Sequence, residues 1–296
     1  RKNTMHIKES PSRKAFNVFN IIFMLCMIVI TLYPLLYVVF ASMSDSNELM
    51  KHSGLLLKPV GFSWAAYKAV FQNPNILQGY KNTIIVLISS VAVSMFLTCL
   101  AAYVLSRKNV LFNGVITFII MFTMFFSGGM IPTYLLVNNL GLTNTYWALI
   151  LPTAISTYNM IIMRTGFAAI PESLEESAKI DGANHFTILF KIVIPLAKPT
   201  MAVIVLYYAV ACWNSWFNAM IYLQKRRDLQ PLQLILRGIL IENDTSNMQD
   251  GNVGQDTESI AESIKYAVIV VATLPILAIY PFLQKFAVSP VLLYLH

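Results

Sequence analysis

The sequence predicts an all-α integral membrane protein with six spans, on the basis of its composition and the spacing of its apolar runs. Of the 296 residues, 57% are hydrophobic and only 12% are charged, and the mean hydropathy is +0.63. A typical soluble domain has about 25% charged residues. Apolar runs of the length that a bilayer requires, about 20 residues, recur between polar segments. The basic residues behind the net charge of +7 mostly flank these runs, which indicates membrane orientation and not nucleic-acid binding.

The N-terminal quarter of the chain supplies the first span and an outer loop. Residues 1–15 form a basic segment that we expect in the cytoplasm. The apolar run at about 16–41 is longer than the core of a secretory signal peptide, so we expect it to be retained as span one. The turn-rich segment 42–81 is predicted outside, with a short interfacial helix at about 64–71.

Spans two and three are joined by a short basic turn. Span two covers about residues 82–105, and Arg107 and Lys108 place the turn after it in the cytoplasm. Span three covers about residues 112–137. Its two adjacent glycines and Pro132 are expected to break or kink it near its outer end, because proline and glycine weaken the helical hydrogen-bond ladder.

Spans four, five and six complete the predicted bundle. They cover about residues 146–163, 199–223 and 264–286. Residues 224–263 form an outer loop that is acidic in its second half. Both termini are therefore predicted in the cytoplasm, and the transmembrane domain extends over residues 16–288.

The C-terminal tail and one basic cluster do not fit the pattern of the other segments. Residues 289–296 form a short apolar C-terminal tail. A basic cluster lies at the predicted outer end of span five: Lys225, Arg226 and Arg227. It departs from the usual excess of basic residues on the cytoplasmic side, but that rule is a bias summed over short loops. Three roles remain open for this basic cluster: a solvated turn, a contact for an external binding protein, or attraction of an anionic solute.

The polar insert at residues 165–198 is predicted on the cytoplasmic side and contains the start and stop signals of a short helix. Pro171 suits a first helical turn, and the helix dipole favours the three glutamates that follow it. Gly182 is expected to end that helix in a left-handed conformation. A second amphipathic stretch follows, and two prolines end it.

This insert resembles the EAA signature of ABC importer permeases. The family pattern is EAA, three residues, Gly, nine residues and I-x-L-P. This chain has Glu176-Ser177-Ala178, then Gly182, then Ile192-Val193-Ile194-Pro195 at the same spacing. Asp181-Gly182-Ala183 is similar to the DGA that is common in the carbohydrate-uptake branch. The resemblance extends over most of the chain through Ala102-Tyr103 with Ser106-Arg107, and Trp213-Asn214 with Phe217.

The resemblance implies a six-span type I ABC importer permease, a multi-pass protein of the bacterial cytoplasmic (inner) membrane. In such permeases the insert forms two short cytoplasmic helices, one of them the coupling helix that docks on an ATPase subunit. Which of the two helices docks here remains open. The residues to which the resemblance assigns coupling are Glu176, Ser177, Ala178, Asp181, Gly182, Ala183, Asn184, Phe186, Ile192 and Pro195.

The resemblance also implies partners. These are a second homologous permease subunit, two ATPase subunits, an extracytoplasmic solute-binding protein, the lipid bilayer and a carbohydrate solute, an oligosaccharide that is neutral or acidic. The chain contains no G-x-x-x-x-G-K-[ST] sequence and no Gly-Lys pair, so it lacks a phosphate-binding loop of that type. We therefore expect it to be a translocator that binds no cofactor, with ATP and Mg²⁺ held by the partner ATPase subunits.

A candidate solute path follows span five. Five side chains from Tyr207 to Tyr222 recur at helical intervals and would form one stripe: Tyr207, Ala211, Asn214, Asn218 and Tyr222. Polar groups are costly in hydrocarbon, so the stripe is expected to face the bundle or a water-filled path. For the two asparagines, the alternative role is hydrogen bonding between helices. Trp213 and Trp216 could stack on sugar rings, and the alternative for them is packing or anchoring at the membrane interface. The candidate path residues are Tyr158, Asn159, Tyr207, Asn214, Trp216 and Asn218.

Two other functions make different demands on the sequence. An ion-coupled secondary transporter predicts an acidic residue in a span core, and none is evident. An intramembrane enzyme requires a catalytic or metal-binding set in the spans. Neither H-E-x-x-H nor G-x-S-x-G occurs, the four histidines lie outside the predicted spans, and the three cysteines lack the spacing of a metal site. We therefore predict no catalytic residue and no metal site.

Overall fold

The computed structural model describes residues 11–241 and 263–278, and these residues are almost entirely α-helical, with one isolated β-bridge between Ser44 and Phe62. The all-α prediction is therefore confirmed for the described chain. The predicted tail at 289–296, the acidic half of the outer loop and the end of span six lie outside the described residues. The described chain divides into two compact units, residues 11–72 with 263–271, and residues 73–241 with 272–278.

The first unit contains one long apolar helix and two short ones. They are α1 (Pro11–Ser42), α2 (Ser46–Lys51) and α3 (Ala65–Gln72), accompanied by the start of a C-terminal helix at Ser263–Ala278. The large apolar side chains of α1 are exposed along most of its length, as expected for a helix surrounded by lipid. Asp45 caps α2 by accepting hydrogen bonds from two backbone N–H groups. The short helix predicted at 64–71 is confirmed as α3.

The second unit is organised around α4 (Pro74–Ser106). Asn73 caps this helix by accepting from the backbone N–H of Asn75, and Pro74 occupies the first turn, where no N–H is needed. The helices that follow it are α5 (Asn113–Phe125), α6 (Met130–Asn139), α7 (Trp147–Ile150), α8 (Thr157–Ala168), α9 (Glu172–Ile180), α10 (His185–Ile188), α11 (Ile194–Leu196), α12 (Lys198–Trp213), α13 (Phe217–Tyr222) and α14 (Leu232–Ile241). Helices α8, α12 and α14 make the most extensive contacts with α4.

Two clusters of buried side chains hold the second unit together. One cluster lies toward the C-terminal end of α4 and includes Phe167 of α8 and Ile204 of α12. The other lies toward its N-terminal half and includes Ala148 of α7 and Ala219 of α13. Lipid is as apolar as these side chains, so the clusters are stabilised by close packing and by hydrogen bonds between helices. One such bond joins the hydroxyls of Thr98 and Tyr208, 2.7 Å apart.

The predicted spans correspond only in part to continuous helices. Among the described residues, α1 and α4 are each long and apolar enough to cross a membrane unbroken. The break predicted in span three is confirmed, because α5 and α6 meet at 109°. The region predicted as span four is not one continuous helix: a 3₁₀ turn at Leu151–Thr153 separates α7 from α8, and its Pro152 has no backbone N–H for a helical bond.

Span five is also divided. Helix α12 ends at Trp213, and α13 begins only at Phe217, so the prediction of one helix over 199–223 is wrong. No proline or glycine lies in the gap. Asn214 ends α12, and its side-chain amide donates back to the carbonyl of Val210 at 2.9 Å. Asparagine side chains compete in this way with regular backbone bonding, which accounts for a break at this residue.

Candidate coupling surface and candidate solute path

Helix α9 ends in the left-handed cap that the sequence predicts. Gly182 has φ of +83°, and its N–H donates to the carbonyl of Lys179 at 3.0 Å. The N–H of Ala183 donates to the carbonyl of Ala178 at 2.9 Å. These two bonds make a Schellman motif, which satisfies carbonyls that the end of a helix leaves unpaired. At the other end, Pro171 flanks the helix and does not lie in its first turn, so that prediction is wrong by one residue.

Several exposed residues lie at the cap or within a few positions of it. We call four of them the α9 tip: Ile180, Asp181, Gly182 and Phe186. Ile180 is 86% exposed and Phe186 is 65% exposed. The backbone at Gly182 is equally open, because a Cβ atom placed there meets nothing within 4 Å. The tip lies in the polar insert outside the predicted spans, so lipid does not account for these apolar surfaces. Exposed apolar side chains next to polar ones are typical of a protein–protein contact.

The structure divides the predicted coupling residues between the tip and the packed side of the insert. The exposed ones are Glu176, Ser177, Asp181, Gly182, Asn184, Phe186 and Pro195. Ala178, Ala183 and Ile192 are half-buried. Ala178 and Ala183 pack against the buried cluster at the end of α4, which explains why small side chains occupy these positions.

The chain passes from the tip into α12 through a second, irregular helix. Asn184 caps α10 by accepting from the N–H of Thr187 at 2.8 Å. The helix continues as a π turn at Leu189–Val193 and as α11, and together these segments meet α12 at 87°. Pro195 has no N–H for a regular helical bond, which favours the irregular turn before it. Leu189 and Val193 are buried, so the inner side of this helix is packed while its outer side is open.

Two ion pairs join α9 to the end of α4, and the sequence did not single out either one. Glu175 of α9 pairs with Arg107, and Glu172 pairs with Lys108 at 2.9 Å. The first pair is buried, with Glu175 only 4% exposed. The second pair is open to solvent. The hydrogen bond from Lys108 holds the pKa of the Glu172 carboxyl below its usual value.

A cavity of about 600 Å³ lies beside these pairs. Its lining includes Arg107, Glu175, Lys179, His185 and Phe186, and therefore both signs of charge. This space lies beside α9, next to the two ion pairs that join the helix to the end of α4.

The candidate path residues on α8 and α12 are brought together. Tyr158 and Tyr207 are both exposed, and their ring centroids are 6.4 Å apart. Asn214 and Trp216 are exposed at the break in span five. The guanidinium of Arg237, from α14, lies 4.8 Å from the centroid of the Trp216 ring. Four of the six predicted residues are therefore accessible.

The single polar stripe predicted along span five is wrong, because the break after Trp213 changes the direction of the chain. Tyr222 is buried and stacks on Tyr134, with ring centroids 6.1 Å apart. Asn218 is only half-buried on α13. Asn159 is buried in the first turn of α8, where its backbone N–H donates to the Ser156 hydroxyl. Asn159 therefore does not lie on the accessible surface.

The basic cluster at residues 225–227 is part of an ordered turn. Arg226 makes two hydrogen bonds to Asp228, at 2.8 and 2.7 Å, and this pairing lowers the pKa of the Asp228 carboxyl. The N–H of Lys225 donates to the side chain of Asn144 at 2.9 Å. The buried amide of Asn82 donates to two carbonyls of the same turn. These contacts favour the solvated turn among the three roles left open.

Comparison with known proteins settles the family. Residues 8–291 match the family described as binding-protein-dependent transport system inner membrane component. The chain belongs to this family. It is therefore an ABC importer permease, a translocator and not an enzyme, and it works at the inner membrane in a complex with other subunits. The two alternatives, an ion-coupled transporter and an intramembrane enzyme, receive no support.

Several relatives match this permease over nearly its whole length. It is 42% identical to protein LplC of Bacillus subtilis, over 96% of this chain and 94% of the relative. It is 44% identical to the polygalacturonan/rhamnogalacturonan transport system permease protein YtcP of the same organism, over 89% of this chain and 91% of the relative. Its fold matches a chain of the crystal structure of a bacterial ABC transporter involved in the import of the acidic polysaccharide alginate. That match has a TM-score of 0.85 and 32% identity, and covers 94% of this permease and 98% of that chain.

Proposed function

We propose that this permease forms half of the translocation path for an acidic oligosaccharide. One relative is named as a polygalacturonan/rhamnogalacturonan transport permease, and the matching solved structure is that of a transporter involved in the import of the acidic polysaccharide alginate. In this chain, exposed aromatic rings on α8 and α12 offer flat apolar surfaces of the kind on which sugar rings stack. The Arg237 guanidinium lies over the aromatic ring of Trp216 and adds a positive charge that can pair with a sugar carboxylate.

The proposal includes the topology and the partners. We propose six spans, with broken helices in spans three, four and five, and with both termini and the α9 tip in the cytoplasm. The full importer contains a second permease, two ATPase subunits that hold ATP and Mg²⁺, and an external solute-binding protein. The broken helices are compatible with spans, because non-helical backbone is tolerated in a membrane where it is buried in protein or lines a water-filled cavity.

The observation that carries the coupling part of the proposal is the capped and exposed α9 tip. A rigid helix end with two exposed apolar side chains can dock on a soluble subunit. The segment that follows it enters α12 directly, so a displacement of the tip is passed to a helix that carries Tyr207 and is followed by Asn214. ATP-driven closure of the ATPase subunits would thereby alter the candidate path.

Reconstitution of the complete importer tests this function. The permease is purified with its partner subunits, placed in proteoliposomes with the external binding protein, and supplied with a labelled oligogalacturonide or a neutral maltooligosaccharide. We expect uptake of the acidic sugar that depends on ATP. Preference for the neutral sugar would contradict the proposed solute class, and uptake independent of ATP would contradict the coupling role.

Replacing Asn214 with leucine is expected to lower solute uptake by about tenfold. Asn214 is exposed at the break in span five, and the loss of one hydrogen bond to a solute costs about 1 kcal/mol or somewhat more. Thr165→Val is the matched control. Thr165 is also an exposed residue that bonds the carbonyl four positions earlier, but it lies outside the candidate path. Normal uptake with reduced assembly of Asn214→Leu would favour the helix-packing role instead.

A further inference from the structure

The Arg107–Glu175 ion pair is unusual for this part of the chain because it is buried. The other charged residues of α9 are exposed, whereas Glu175 is buried on the side of the helix that faces α4. Arg107 is the residue at which α4 ends, and its side chain is only 15% exposed. A buried carboxylate is costly unless a cation accompanies it, so the pairing of these two residues is strongly specified.

Arg107 belongs to a small network that reaches three elements. Its guanidinium lies 4.7 Å from the centroid of the Tyr103 ring, one turn earlier on α4. The Tyr103 hydroxyl is 3.3 Å from Nδ1 of His185, in the first turn of α10. The network therefore connects α4 with both short helices of the insert.

The end of α4 is itself firmly held. The Nε–H of Arg164, from α8, donates to the carbonyl of Leu105 at 2.9 Å. The side-chain amide of Asn113, from α5, donates to the same carbonyl at 3.1 Å and to the carbonyl of Arg107 at 2.7 Å. A force that reaches Arg107 is thus passed to α5 and α8 as well as to α4.

We propose that the Arg107–Glu175 pair is a latch that positions α9 on the end of α4, so that displacement of the α9 tip moves α4 and its neighbours. This inference rests on the proposed coupling role of the tip. Next to the cavity, the insert also packs on this region through Ala178 and Ala183, and a buried charge pair resists sliding better than these small side chains do. Arg107 and Glu175 are positioning residues, because they lie on the inner side of α9 and not at its exposed tip.

The chain contains a natural control for this latch. Lys108 and Glu172 form a second ion pair between the same two parts of the molecule. Their side chains are 82% and 56% exposed, and such solvent-screened pairs contribute little. Removing either carboxylate deletes one charge from α9, but only Glu175 belongs to the latch.

The test measures solute taken up per ATP hydrolysed by the complete reconstituted importer. For Glu175→Gln we expect this ratio to fall about tenfold, because the tip still engages the ATPase but its movement no longer reaches α4. The ATPase subunits should still copurify. For Glu172→Gln we expect a change of less than about twofold. The double variant Arg107→Glu with Glu175→Arg restores a charge pair in the opposite direction. It should therefore recover part of the ratio, whereas each of its single substitutions should not.

Three results would overturn the latch. They are an unchanged ratio in Glu175→Gln, equal losses in Glu175→Gln and Glu172→Gln, or loss of ATPase copurification in Glu175→Gln, which would make Glu175 a docking residue. If Glu175→Gln does not reach the membrane, Arg107→Lys keeps the charge with a single donor group, and a wild-type ratio in that variant also overturns the proposal. Failure of the underlying coupling role is distinguishable, because uptake by the unsubstituted importer would then not depend on ATP.

Discussion

Gly182→Val is expected to abolish ATP-driven uptake while the permease remains in the membrane. Gly182 has φ of +83°, a conformation that a β-branched residue adopts only with strain. Valine would therefore shift the backbone and break the two capping bonds that fix the α9 tip. The strain comes from the local backbone alone, because a Cβ atom at this position meets no atom of a more distant residue within 4 Å. The measurements are the amount of permease in membrane fractions and the initial rate of solute uptake in proteoliposomes.

The end of α6 offers a matched control for this substitution. Gly141 has φ of +68°, its N–H donates to Asn138, and the next residue, Leu142, donates to Val137. This is the same Schellman geometry, again with open space for a Cβ atom. Gly141→Val should therefore lower stability to a similar degree but retain uptake. Asparagine tolerates left-handed backbone, so Gly182→Asn should retain most of the activity. Uptake lost equally in both valine variants would contradict a specific role of the α9 tip.

Local sequence signals predicted the insert well. The Gly182 cap, the end of α9 and the second short helix each depend on residues within a few positions of one another, and the structure contains all three. The break in span three was predictable for the same reason, since its glycines and proline lie at the break itself. Such features follow from the backbone freedom of glycine and from the missing N–H of proline, and the positions of both residues can be read from the sequence.

Features that depend on distant residues were not predicted. The Arg107–Glu175 pair joins two residues far apart in the chain. Neither the charge of Arg107 after span two nor the Ser106-Arg107 motif indicates Glu175 as its partner. The burial of Glu175 was not predictable either, because the helix dipole alone explains acidic residues in the first turns of α9. Span five was predicted only in part. Its helical spacing was correct as far as Trp213. The break at Asn214 follows from the local bond of its side chain to Val210, whereas the stacking of Tyr222 on Tyr134 depends on another helix.

Ile180→Asp is expected to prevent stable association with the ATPase subunits. Ile180 is the most exposed large apolar side chain in the described insert, and it lies directly before the cap. If it fills an apolar pocket of the ATPase, replacement by a carboxylate costs about 2 kcal/mol or more, which is about a thirtyfold loss of affinity. The measurement is copurification of the ATPase subunits with the permease after mild solubilisation, followed by titration of the separated subunits.

The control for this charge is Leu174→Asp. Leu174 is also exposed on α9, but it lies nearly two turns earlier and on another side of the helix. We expect Leu174→Asp to retain the ATPase subunits, whereas equal loss in both variants would indicate a general effect of added charge. Full retention by Ile180→Asp would place the docking surface on another part of the insert. Loss of the ATPase in Ile180→Asp, with its retention in Glu175→Gln, would separate the residue that docks from the residue that transmits the movement.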